Sequence, residues 1–121
     1  MPIAHLTLAS RDVEAATRFF VETLRWRPID RPSNIAMKAA WLDIGGGQEL
    51  HLLEIEQFEP SAFEREYGRH VAVSIPLEAF AGLKERLRHA GAELIAPERP
   101  TTFERFFFRA PDGYVFEVVP S

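Results

Sequence analysis

Residues 47–53 read Gly47-Gln48-Glu49-Leu50-His51-Leu52-Leu53, and residues 113–119 read Gly113-Tyr114-Val115-Phe116-Glu117-Val118-Val119. The two stretches stand 66 positions apart, and each runs from a turn glycine into an apolar segment. That is the signature of a strand entered from a tight turn. The fifth position holds a ligand-type side chain in both, His51 in the first and Glu117 in the second. Alternate residues of a strand point to opposite faces. Leu50 and Leu52, or Phe116 and Val118, therefore turn to a core, and His51 and Glu117 turn away from it.

Working outward, the same order of elements precedes each stretch. In the first half, Ile3 to Ala9 has a strand pattern, and Ser10-Arg11-Asp12 offers an N-cap in Ser10 or Asp12. Val13, Ala16, Phe20 and Leu24 then fall on one helical face. A short strand, a strand over Met37 to Ile44, the Gly45-Gly46-Gly47 turn and a strand over Gln48 to Ile55 follow. In the second half, Arg69 to Ile75 reads as a strand and Leu77 to Ala90 as a helix buried through Phe80, Leu83, Leu87 and Ala90. Gly91 is its C-terminal cap. A short strand over Glu93 to Ala96, a strand over Phe103 to Arg109, the Ala110-Pro111-Asp112-Gly113 turn and a strand over Tyr114 to Val119 complete it. The expected architecture is α+β: one domain over 1–121, built from module 1 (3–55), a charged connector (56–68) and module 2 (69–120). Two copies make a duplication rather than a repeat array.

Composition narrows the function. With 121 residues, 46% hydrophobic and 26% charged, the chain has the balance of an ordinary globular domain. It has no cysteine, which excludes disulfides, thiolate zinc sites and a cysteine nucleophile. The net charge is −4 and no basic stripe is present, so a nucleic-acid partner is not expected. No apolar run reaches the roughly 18 residues of a membrane span, and the start Met1-Pro2-Ile3-Ala4-His5 lacks the pattern of a signal peptide. A cytoplasmic protein is expected.

The duplication gives the histidines meaning. His5 and His70 both lie early in the first strand of their half, as His51 and Glu117 share a place in the fourth. One histidine in a strand is usually packing or surface. Three of the four histidines at repeat-equivalent positions, with a carboxylate at the remaining one, form a candidate metal set: His5, His51, His70 and Glu117. Imidazoles and a carboxylate suit Zn, Ni, Fe(II) or Mn. His89 lies in the last turn of a helix, where the macrodipole accounts for it.

These motifs, with Ile3-Ala4-His5-Leu6-Thr7-Leu8-Ala9, Phe19-Phe20, Gly68-Arg69-His70-Val71-Ala72 and Phe108-Arg109-Ala110-Pro111-Asp112-Gly113-Tyr114, resemble the vicinal oxygen chelate superfamily over essentially the whole chain. That superfamily includes glyoxalase I, fosfomycin-resistance proteins, extradiol dioxygenases and bleomycin-binding proteins. The resemblance implies two paired βαβββ modules in a curved mixed sheet that encloses a metal-binding cup, one divalent metal per site, and a homodimer. The glyoxalase I pattern makes all four residues ligands. The fosfomycin and extradiol patterns use His5, His70 and Glu117.

Strand parity turns Thr7, Glu49, Ala72, Ser74 and Val115 to the same side as the ligands. The resemblance adds Trp41, Arg105 and Phe107 as substrate-facing residues. An arginine there suits bidentate capture of a carboxylate or phosphonate; the plain alternative is solvation at a strand end or pairing with Glu104 or Glu49. Arg99-Pro100-Thr101-Thr102-Phe103-Glu104 departs from the potassium loop of fosfomycin enzymes, and Ala9 stands in the region of the glutathione-binding arginine of glyoxalase I. The leading expectation is a metal-dependent lyase or isomerase acting on a small, oxygen-rich, anionic substrate, with Glu117 or Glu49 as general base. The alternatives are an Fe(II) extradiol-type dioxygenase and a non-catalytic small-molecule binding or resistance protein.

Overall fold

Asp12 starts the first helix. Its carboxylate accepts the Ala15 N–H at 3.1 Å, and Ser10 Oγ accepts the Asp12 N–H at 3.1 Å, so the two candidate caps act in series. The computed structural model describes residues 1–121 and divides into two compact units, Met1–Glu59 and Pro60–Ser121.

The first unit contains β1 (His5–Ser10), α1 (Val13–Leu24), β2 (Arg27–Ile29), β3 (Ala39–Gly45) and β4 (Gln48–Glu54). Its sheet has the order β1-β4-β3-β2, with β1 parallel to β4 and the other pairs antiparallel. Val13, Ala16, Phe19 and Phe20 of α1 are buried, and so are Leu8, Leu42, Leu50 and Leu52 of the sheet. Thr23 sits on the buried helical face because its hydroxyl donates to the Phe19 carbonyl at 2.7 Å, which satisfies it without water.

The second unit contains β5 (Val71–Ile75), α2 (Phe80–His89), β6 (Glu93–Ile95), β7 (Phe106–Arg109) and β8 (Val115–Pro120), in the sheet order β5-β8-β7-β6. Phe106, Phe108, Phe116 and Val118 face Phe80, Leu83 and Leu87 of α2 as the core. Gly91 (φ +80) ends α2 in a Schellman motif: the Ala92 N–H reaches the Leu87 carbonyl and the Gly91 N–H the Arg88 carbonyl.

The expected curved sheet is thus two four-stranded mixed sheets, one per unit. The repeat is visible in the registers. On one rung Thr7, His51 and Trp41 lie side by side; on the matching rung of the other sheet lie Ala72, Glu117 and Phe107.

Several boundaries differ from the sequence expectation. The helix expected from Leu77 begins as a 3₁₀ turn over Leu77–Ala79 behind Pro76, and Ala90 is exposed. The strand expected from Arg69 begins at Val71, because the Arg69 N–H turns back to the Phe63 carbonyl. The strand expected from Phe103 begins at Phe106. Its partner β6 is only three residues long, and the backbone N–H groups of Glu98 and Arg99 go to a carboxylate instead of a ladder.

The turn before β8 packs closely on Pro60. Gly113 has φ +87, and a Cβ there would lie 2.6 Å from Pro60 Cβ. Gly91 has a similar φ but open space around it. Gly91→Ala is expected to cost about 1 kcal/mol, the left-handed penalty alone. Gly113→Ala is expected to cost more, because the clash adds to it. Urea unfolding of the two variants checks the order.

Candidate metal centre

In the first unit the candidate ligands form a stack. The His5 and His51 ring centroids are 4.1 Å apart with planes 17° from parallel, and Trp41 lies on the other side of His51 at 3.9 Å and 15°. The stack follows from register: β4 runs between β1 and β3, so the odd-numbered side chains of all three strands share one face. His51 Nε2 is 2.8 Å from Glu49 Oε1. The His51 side chain is 12% exposed and Glu49 41%. Thr7 is exposed on the same rung as His51.

In the second unit the ligands belong to a chain of charges. His70 Nε2 lies 3.2 Å from Glu117 Oε1. The other oxygen, Glu117 Oε2, accepts from Arg105 Nη1 at 3.0 Å. Arg105 Nη2 donates to Glu66 Oε2 at 2.9 Å and to the Arg99 carbonyl at 2.6 Å. Glu66 in turn accepts the backbone N–H of Glu98 at 2.7 Å and of Arg99 at 3.0 Å. The Arg105 side chain is 2% exposed, so its charge is balanced by these two carboxylates and not by water. Phe107 is buried, with its ring under the Arg105 guanidinium and its edge against His70.

The electrostatics follow from that geometry. Burial alone would push the Glu66 carboxyl up. The Glu98 and Arg99 N–H groups and the Arg105 guanidinium outweigh it and hold the pKa at about 2. Burial likewise opposes the charge on Arg105, and its bonds to Glu66 and Glu117 overcome that and raise its pKa.

The sequence-predicted residues therefore gather two by two. His5 and His51, with Glu49, Trp41 and Thr7, share one face of the first sheet; His70 and Glu117, with Arg105 and Phe107, cluster in the second unit. No three His, Asp or Glu side chains stand together as a metal-holding group. Arg105, expected to meet a substrate anion, is engaged by Glu117 and Glu66 rather than by Glu104 or Glu49. Glu66 was missed altogether. It lies in a stretch with no periodicity, and nothing in its neighbours marks it.

The model of the Glyoxalase/Bleomycin resistance protein/Dioxygenase superfamily matches residues 2–118. The chain belongs to that superfamily. Glyoxylase I 4 of Arabidopsis thaliana is 26% identical over 120 residues, 94% of this chain and 67% of that protein. Among solved structures, the fosfomycin resistance protein FosX of Listeria monocytogenes, complexed with Mn(II) and sulfate, matches with a TM-score of 0.77 at 26% identity, over 99% of this chain and 90% of that one. A glyoxalase family protein of Bacillus anthracis shares the fold, with a TM-score of 0.80 at 24% identity, over 100% and 95% of the two chains. No helix is long and apolar enough to cross a membrane.

That FosX structure holds Mn(II), and the donors of this chain can be tested against such an ion. His70 Nδ1 lies 3.3 Å from the Arg65 carbonyl, and Nε2 lies 3.2 Å from Glu117 Oε1. An imidazole nitrogen and a carboxylate oxygen thus stand side by side, two donor types that suit a divalent ion. In the first unit, His51 Nε2 is already paired with Glu49, so that atom would be open to an ion only with Glu49 turned aside.

The lowered pKa of Glu66 sets a pH dependence. Its ordinary value is 4.5 and its folded value about 2, so its contribution is complete above pH 4.5 and fades as the pH falls toward 2. Glu66→Gln is expected to lose about 1.5–3 kcal/mol at neutral pH, the range for charged hydrogen bonds. Urea titrations across the acid range should show the gap between wild type and variant closing over that window.

Proposed function

We propose that this chain is a divalent-metal-dependent lyase or isomerase acting on a small oxygen-rich, anionic substrate, with His5, His51, His70 and Glu117 as the donors to one metal. The observation that carries the proposal is the His70–Glu117 pair, an imidazole nitrogen and a carboxylate oxygen held 3.2 Å apart. Membership of the superfamily and the Mn(II) of FosX support it. We further propose that it works as a homodimer. A divalent ion bound there would act as a Lewis acid on two neighbouring substrate oxygens and on the negative charge that develops on them.

The chain's own residues divide the remaining work. Both Glu117 oxygens are engaged, one by His70 and one by Arg105, which suits a fixed ligand. Glu49 is more exposed and sits beside His51, which suits it to take and return the substrate proton. Trp41 and Thr7 offer the aromatic and hydroxyl surface for the substrate. Arg105 already faces two carboxylates, so a bound metal, and not the guanidinium, would supply the positive charge for an anionic substrate group.

Elemental analysis of purified wild type, His70→Ala and His51→Ala tests this. Wild type is expected to carry about one divalent ion per chain, one for each set of donors, and His70→Ala to lose it. Loss in His51→Ala as well fits four donors, and retention fits three. A wild-type chain that takes up no Zn, Ni, Fe(II) or Mn on reconstitution would sink the proposal and favour a binding protein.

A further inference from the structure

The segment 64–70 spans the end of the expected connector (56–68) and the start of the strand expected from Arg69. It makes two contacts that converge on the second unit's ligand pair. The Arg65 carbonyl receives His70 Nδ1 at 3.3 Å. The next residue, Glu66, holds Arg105, and Arg105 holds Glu117 Oε2. Consecutive residues thus set the two ligands, one through a backbone carbonyl and one through a guanidinium.

We infer that Glu66 and Arg105 are positioning residues: together they lock the Glu117 carboxylate so that Oε1 alone is presented beside His70 Nε2. This rests on the metal reading above. A guanidinium is a planar fork whose donors have fixed directions. With Nη2 tied to Glu66 and to the Arg99 carbonyl, Nη1 can reach only one place, and Glu117 Oε2 is there. The carboxylate is thereby kept from turning both oxygens to one ion. Glu66 is itself fixed by two backbone N–H groups, so the lock is anchored in main chain. Outer partners of this kind commonly tune metal affinity about 10–100-fold.

Glu64 provides an internal comparison. It is buried in the same segment and bonded to the Val115 N–H at 2.8 Å and to Arg69 at 2.8 Å, with no bond to either ligand. The test uses the full chain, Co(II) as probe, and variants Glu66→Gln, Arg105→Lys and Glu64→Gln. Co(II) affinity is read by chelator competition, coordination by visible absorption, and folding by thermal unfolding. The expected result is a loss of affinity of about 10–100-fold with an altered absorption band in Glu66→Gln and Arg105→Lys. Glu64→Gln should lower the unfolding temperature and leave affinity and band as in wild type. Arg105→Lys keeps the buried charge but not the fork, so it reports on the lock even if Glu66→Gln folds poorly. Wild-type affinity and band in both lock variants would overturn the inference while leaving the metal reading intact. An equal spectral change in Glu64→Gln would also overturn it, by making the effect one of general stability. A wild-type chain that binds no Co(II) would overturn both readings together.

Discussion

A guanidinium taken out of water must find its counter-charges inside the fold. Arg105 finds two, Glu66 and Glu117, and much of the second unit's arrangement follows from that requirement. The chain before β7 stays irregular because its N–H groups are spent on Glu66. The connector is held down because Glu66 belongs to it. The ligand-type carboxylate on β8 has a single orientation because one of its oxygens is already committed.

The first unit reaches a comparable order by other means. There the fixing agent is flat packing: an indole and two imidazoles in a near-parallel stack across three strands. The duplicated framework supplies equivalent rungs, and the residues on them have diverged. His51 is held by rings and a hydrogen bond to Glu49, whereas Glu117 is held by a buried charge network. One sheet geometry has thus accommodated two physical ways of fixing a polar side chain.

The elements with strong local patterns were legible in advance. Leu50 and Leu52 around His51, and Phe116 and Val118 around Glu117, announced both strands and their faces, and these four flanking residues are fully buried. The apolar face of α1 was equally plain. The resemblance grouped Arg105 with Phe107, and the guanidinium does lie over that ring, although residue 105 falls just outside the strand. The partners of Arg105 were not legible. Glu66 is 39 residues away in sequence and reaches it only through the path of an aperiodic segment. A contact of that kind depends on where a loop runs, which alternation and helical spacing do not encode.

The stack in the first unit has a consequence for observing this protein. Of the two tryptophans, Trp26 lies against Phe20, while Trp41 lies flat on His51. Indole emission is sensitive to the charge of whatever touches the ring face. Trp41 is therefore a built-in optical gauge of the electrical state of one imidazole, and replacing Trp26 with phenylalanine would leave that gauge as the only fluorophore of its kind in the chain.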